Sequence, residues 1–376
     1  MLFDPIRLGP LTLENRLLRS ATWEGMAEPD GAVTDRVVAL YDELARGGAG
    51  LIITGFAYVV PAGKALPGQL GIYQDDQISG LRRIADAVHN HGGRAAVQLV
   101  DAGVQTRSAL IDGRLPRGPS ALTGDDGAPL AEALGADELA EVIDAFGQAA
   151  ARVREAGFDA VQLHLAHGYL WNQFLSPGRN RREDRYGGSA EARRRAPLEA
   201  YAAVRRAVGD DFPVFAKLNS SDFVDDGLQT DDSLAFAQEL VAAGMDALEI
   251  SGGIPAAGRL GAVRARIATR EDEAYFRAEC AAVKRAVKRT ADVDADVGAD
   301  IPVFLVGGLR SPDLIEELLA AGDADGVALC RPLIREPDLP KRWKSGDPAR
   351  AACISCLGCL KAGMKGGITC VDARKS

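Results

Sequence analysis

The sequence predicts an α/β protein, a (β/α)8 barrel followed by a short cysteine-rich extension, on three observations. Eight short apolar runs alternate with helix-period segments from residue 17 to about residue 334. Polar residues able to donate hydrogen bonds or move protons stand just after the runs, the side on which such a barrel carries its active site. No run leads into a GxGxxG turn and helix, which would mark the alternative, a doubly wound open sheet.

The expected strands are Leu17 to Ala21, Leu51 to Phe56, Ala95 to Val100, Ala160 to Leu163, Val214 to Leu218, Ala247 to Ile250, Val303 to Val306 and Gly326 to Leu329. Expected helices centre near residues 40, 83, 146, 200, 238, 280 and 316, with a weakly marked eighth near 338. Strands that each feed a helix pair in parallel through right-handed crossovers, and eight of them favour closure. Two stretches break the rhythm. Asp101 to Asp137 is rich in Gly and Pro and lies where a substrate lid would sit, whereas the Asp/Ala-rich stretch Thr290 to Asp300 reads as a solvated turn. The expected division is a barrel over residues 1–340 and a tail over 341–376.

Composition narrows the function. Of 376 residues 47% are hydrophobic, enough for a chain this size to bury about three quarters of its extended surface. With 44 basic against 53 acidic residues, the net charge of -9 argues against nucleic acid or an anionic membrane as partner. The start of the chain has no apolar signal region, and no stretch approaches the roughly 18 apolar residues of a membrane span, so a cytoplasmic protein is expected. A homo-oligomer is compatible with all of this.

The most informative stretch runs from Ala160 to Arg193. A buried strand ends in His164, His167 and Tyr169; Phe174-Leu175-Ser176-Pro177, Asn180, Arg182, Asp184 and Tyr186-Gly187-Gly188-Ser189 follow, and a helix starts near Glu191. This segment resembles the signature of the old yellow enzyme family, the FMN-dependent NAD(P)H:flavin oxidoreductases, over roughly thirty positions with the spacing kept. The resemblance implies that His164 and His167 grip a carbonyl or nitro oxygen of the substrate and that Tyr169 delivers a proton to the neighbouring carbon. From the residues alone, His-x-x-His also suits a metal, and a buried histidine is also a common structural residue.

Residues at the other strand ends fit the same cofactor. The backbone of Ala21, Thr22 and Trp23, Gly55, the amide of Gln98, and Lys217 can meet the polar edges of an isoalloxazine. Ser251, Gly252 and Gly253 after the sixth strand, Gly307 and Gly308 after the seventh, and Cys330 and Arg331 after the eighth suit a phosphate. Taken singly, paired glycines mark tight turns, Lys217 can be a rim residue and Gln98 a satisfied core amide. Three positions depart from the family pattern: Asp101-Ala102-Gly103-Val104 replaces a His-Ala-Gly-Arg sequence, Trp23 stands where Cys or Thr often touches the flavin, and Lys217 replaces Arg.

Four of the six cysteines, Cys353, Cys356, Cys359 and Cys370, crowd into the tail. The spacing can wrap a [4Fe–4S] cluster or a zinc ion, and it is also compatible with a tail of ordinary thiols that holds neither. It resembles the cluster loop of the trimethylamine dehydrogenase and 2,4-dienoyl-CoA reductase branch, and a protein without the FAD/NAD-binding region of those larger relatives is expected. The expected function is reduction of activated alkenes by FMN and NAD(P)H. Two alternatives stand beside it: an iron–sulfur flavoprotein dehydrogenase or demethylase that sends electrons out through the tail, and a metal-dependent aldolase or hydrolase using His164, His167 and Asp101.

Overall fold

The structure, a computed structural model, describes residues 1–293 and 301–373. Eight parallel strands close on themselves: β1 (Leu17–Arg19), β2 (Leu51–Ile53), β3 (Ala95–Val100), β4 (Ala160–Leu165), β5 (Val214–Asn219), β6 (Ala247–Ser251), β7 (Val303–Val306) and β8 (Gly326–Leu329). Each pairs with the next, and β8 returns to β1 through Val327 opposite Leu17. The architecture is the expected (β/α)8 barrel. The outer ring holds α1 (Asp35–Arg46), α2 (Ile78–His89), α3 (Ala136–Glu155), α4 (Ala190–Val208), α5 (Thr230–Ala242), α6 (Arg277–Val293) and α7 (Pro312–Ala320). Two short helices, Arg331–Arg335 and Leu339–Lys344, complete it after β8. Caps fix where helices begin: Thr34 Oγ1 accepts from Val37 N–H, and Ser189 Oγ accepts from Ala192 N–H.

Strand ends differ from the apolar runs in a consistent way. β4, β5 and β6 continue into His164-Leu165, Asn219 and Ser251, because ladder partners such as Lys217 opposite His164 and Ser251 opposite Asn219 hold the polar residues extended. β1 and β2 end early, where Ser20 and Thr54 still donate one backbone bond each to Leu329 and Ala96. The expected loop at 101–137 is only partly irregular. It carries two 3-10 turns and a small sheet of Arg117–Gly118, Leu122–Thr123 and Pro129–Ala133. Of the expected turn at Thr290 to Asp300, residues 294–300 lie outside the described residues, and the chain up to Val293 continues α6.

The barrel interior is layered, because strand side chains alternate between its two faces. Its lower layer is apolar: Ala96, Ala160, Phe215, Ala247, Phe304 and Ala328 form one buried cluster with Leu18, Leu51 and Ile53. Leu8 and Leu13, from the N-terminal hairpin Ile6–Leu8/Leu11–Leu13, belong to the same cluster. The Phe215 and Phe304 rings stand among four alanines and the branched side chains of this layer, and a Cβ at Gly326 would stand 2.5 Å from the Phe304 ring. One step up each strand the interior turns polar, with Gln98 opposite Gln162 and Lys217 opposite Glu249.

Replacing Phe304 by Ala is expected to destabilise the protein by about 3–5 kcal/mol, since side chains held by the closed barrel cannot collapse to fill the space. Chemical denaturation of the two proteins checks this; an unchanged midpoint would show that the lower layer is not tightly packed.

Candidate active site

The C-terminal ends of the strands open on a cavity of about 400 Å3. Ala21, Thr22 and Trp23 line it from β1, Gln98 from β3, His164, His167 and Tyr169 from β4, and Lys217 from β5. Ser251 and Gly253 line it from β6, Gly307 and Gly308 from β7, and Cys330 and Arg331 from β8. Two expected members do not. Gly55 gives its N–H to Glu24 Oε1 (2.7 Å), and its missing side chain makes room for the Glu24 carboxylate, 2.1 Å from where a Cβ would be. Gly252 is crowded by the Phe223 and Phe276 rings, both 2.8 Å from a Cβ there. Their small size serves packing, while Phe56 and Gly253, their next neighbours, face the cavity.

The base of the site is a buried charge pair. Lys217 Nζ stands 3.2 Å from Glu249 Oε1 and donates to Ser20 Oγ (2.8 Å), which in turn donates to Glu249 Oε1 (2.7 Å). Gln162 Nε2 donates to Glu249 Oε2 (2.8 Å), so its Oε1 accepts from Gln98 Nε2 (2.7 Å). This relay leaves Gln98 Oε1 buried at the cavity wall without a partner among the described residues. The sequence reading missed Glu249 and Gln162. The available signal was a charge and an amide inside otherwise apolar strands, where neither survives unpaired.

His164, His167 and Tyr169 form an aromatic cluster on the β4 side. The two imidazoles lie 4.9 Å apart at 84°, and the Tyr169 ring stands 4.8 Å from His164 and 5.5 Å from Phe56. His167 Nε2 pairs with Ser251 Oγ (2.8 Å), and His164 Nδ1 is buried with no hydrogen-bond partner among the described residues. Burial, with Lys217 adding repulsion, pushes the His167 imidazole down to about 3; burial, then His167 and Lys217, hold His164 well below the usual imidazole range. Both rings are neutral at pH 7. Burial alone raises the Tyr169 phenol.

Across the barrel, Gly307 (φ 147) and Gly308 (φ 74) pass under the Tyr275 ring, which a Cβ at either would meet at 3.1 and 2.8 Å. Among the described residues their N–H groups make no hydrogen bond. Gly253, by contrast, spends its N–H on Ser221 O (2.8 Å). Arg331 gives one N–H to Arg264 O (2.8 Å), and Arg310, not foreseen from the sequence, also borders the cavity. Free N–H groups beside two guanidinium groups fit a phosphate. With the unpaired Gln98 and His164 atoms and the buried Lys217 cation, the wall fits flavin mononucleotide.

The cysteine tail folds back over this mouth. Arg310 donates to Cys353 O, Ala351 N–H to Arg310 O (2.8 Å) and Ile368 N–H to Glu24 O (2.7 Å). Cys353, Cys356, Cys359 and Cys370 border a second cavity of about 20 Å3, which Arg331 also lines. As placed, no three His, Cys, Asp or Glu side chains among the described residues form a metal-binding group. Two of the sulfurs accept hydrogen bonds, Cys356 from Gly358 N–H (3.4 Å) and Cys370 from Arg335 (3.8 Å). Four thiols around one small space match the donor set of a cluster or of zinc. Asp101, the third ligand of the aldolase or hydrolase alternative, turns instead to Gly103 N–H (2.7 Å) and does not line the cavity.

The depressed histidines fix a pH dependence. An unfolded chain protonates His164 and His167 near pH 6.5, whereas the folded chain resists protonation down to about pH 3 at His167, so acid favours unfolding. Stability should therefore fall as pH drops below about 6.5. Denaturant midpoints from pH 7.5 to 4.5 check this, and the double variant His164→Asn with His167→Asn should show a flatter profile; an identical slope would refute the assignment.

A model of the NADH:flavin oxidoreductase / NADH oxidase family matches residues 1–350. A Thermoanaerobacter brockii NADH oxidase is 35% identical over 362 residues, covering 96% of this chain and 53% of that protein. The chain spans about half the length of the first curated relatives it matches. Among solved structures, a 2-naphthoyl-CoA reductase in complex with 2-naphthoyl-CoA superposes with a TM-score of 0.86 at 27% identity, over 98% of this chain and 56% of that one. An old yellow enzyme homologue from Zymomonas mobilis superposes with a TM-score of 0.76 at 27% identity, over 94% and 95% of the two chains. Barrel, cavity and match together lead to one conclusion: the chain belongs to the NADH:flavin oxidoreductase / NADH oxidase family.

Proposed function

We propose that this chain binds FMN noncovalently, draws electrons from NAD(P)H and reduces an activated C=C bond such as that of an enone. The observation that carries the reading is a single cavity walled by His164, His167 and Tyr169, with Lys217 and Gln98 at its base and Gly307, Gly308 and Arg331 at the β7–β8 side. FMN held by Gln98, Lys217, Gly307, Gly308 and Arg331 would supply two-electron hydride-transfer chemistry.

The protein's own residues do the rest. A neutral imidazole has one N–H: with Ser251 Oγ–H donating to His167 Nε2, the His167 N–H sits on Nδ1, and each histidine then has one N–H to give to the substrate oxygen, where negative charge grows as hydride arrives. Burial of Tyr169 keeps its phenol protonated until the neighbouring carbon takes the proton, and its hydroxyl makes no hydrogen bond to the protein among the described residues. Lys217 is the buried cation that can balance the negative charge of the reduced cofactor. Trp23, Phe56 and Ile254 make the remaining wall apolar and keep water from the reacting atoms.

Tyr169→Phe should leave flavin reduction by NAD(P)H nearly intact and slow reoxidation by an enone about 10² to 10⁴-fold. Anaerobic stopped-flow measurement of the two half-reactions checks this. Equal slowing of both would assign Tyr169 to structure rather than proton delivery.

A second reading is an iron–sulfur flavoprotein dehydrogenase or demethylase that passes electrons outward through the tail. It is supported by Cys359, which borders both the main cavity and the thiol-lined one. Protein purified without oxygen should carry about four iron and four sulfide per chain if Cys353, Cys356, Cys359 and Cys370 hold a cluster. One zinc per chain would mean a structural site, and neither metal would remove this reading.

A further inference from the structure

We infer that Asp222, which makes no contact with the cavity, is a positioning residue that holds the His167–Tyr169 turn in its working shape. The functional consequence rests on the reading proposed above; the structural claim does not.

The turn is held in an unfavourable conformation. His167 has φ 64 and Gly168 φ 83, consecutive left-handed residues of which the first carries a side chain. Two amides oppose its relaxation. Asn219 Oδ1 accepts from His167 N–H (3.1 Å), and Asn172 Oδ1 accepts from Gly168 N–H (2.6 Å). An amide can present either end to its neighbour, and the Nδ2 end here would place donor against donor.

Asp222 decides which end Asn172 presents and, together with Gly253 O, 3.4 Å from Asn219 Nδ2, which end Asn219 presents. It is 0% exposed, and its Oδ1 accepts from both Asn172 Nδ2 (2.9 Å) and Asn219 Nδ2 (2.9 Å). Leu228 N–H binds its other oxygen (2.9 Å), and the Asp222 N–H returns to Leu228 O (2.8 Å). A Cβ at Gly227 would sit 2.5 Å from the Asp222 Cβ, so the acid cannot swing away without moving this loop. No cation pairs with it among the described residues, which makes the amide donors its principal stabilisation. The carboxylate thus turns both amide oxygens toward the 167–168 backbone. His167 and Tyr169 are aimed from β5 as much as from their own strand.

The test uses two readouts on the FMN-loaded protein. In Asp222→Asn, an amide replaces the double acceptor. Backbone amides of residues 166–170 should then exchange with deuterium at least tenfold faster, while those of β4 and β5 stay unchanged. Affinity for 4-chlorophenol, an enolate mimic, should fall at least tenfold with FMN retained. The double variant Asn172→Asp with Asp222→Asn returns a carboxylate to the cluster, able to accept from both Gly168 N–H and the new amide, and should regain slow exchange. Unchanged exchange at 166–170 in Asp222→Asn overturns the inference, as does acceleration spread evenly over the barrel. Faster exchange with unchanged phenol affinity overturns the link to His167 and Tyr169. If Asp222→Asn yields no folded protein, the double variant decides: slow exchange in the turn supports the inference, and a double variant that is also loose or unfolded overturns it. Failure of the parent protein to bind 4-chlorophenol would count against the proposed function, while the exchange measurement would still judge the positioning role.

Discussion

The site depends on one buried ion pair. Lys217 and Glu249 face each other inside the barrel at 3.2 Å, and taking both charges out of water costs several kcal/mol unless every remaining donor and acceptor is met. Ser20 and Gln162 meet them, and Gln162 then dictates the orientation of Gln98. The pair divides the interior into an apolar lower layer and a polar upper layer that borders the cavity. Because the network draws on β1, β3, β4, β5 and β6, the strand exits are fixed relative to one another before any ligand binds.

The same device recurs around the mouth: a buried acid serves as a hub for backbone and amide donors. Glu24 accepts from Gly55 N–H and from the Tyr41 hydroxyl, tying β2 to the loop after β1. Asp222 ties β5 to the turn after β4. Glu273 accepts from the Arg310 and Ser311 N–H groups and from Arg350, tying the loop after β7 to the start of the tail. Loops at a barrel mouth lack the ladder bonds of strands, and a carboxylate with several lone pairs can collect donors from two loops at once. The cavity therefore has a rigid rim although much of it is irregular chain.

The tail adds a wall that the barrel lacks. Trp23 donates from its indole N–H to Pro67 O (3.0 Å), and its ring lies against Gly363, where a Cβ would come within 2.6 Å. Ser355, Cys359, Leu360 and Ile368 then face the main cavity. The large Trp23 side chain and the close approach of the tail are two sides of one packing arrangement.

The sequence by itself determined the barrel and most of its mouth. Strand alternation, buried apolar runs and the polar residues placed after them are local properties, written within a few residues of each other, and Ala95–Val100, Val303–Val306 and Gly326–Leu329 have the bounds their apolarity marks. His164, His167 and Tyr169 were legible because a spaced signature sits on one continuous segment. Only the tertiary structure decided which glycines face the cavity, since Gly55 and Gly252 are small to admit Glu24 and two phenylalanine rings from elsewhere in the chain. It alone revealed Glu249, Gln162 and Asp222, whose meaning lies in partners on other strands and turns, as far as 229 residues away for Glu249 and Ser20. A buried polar group is explained by what satisfies it, and satisfaction is a relation across space that no stretch of sequence contains.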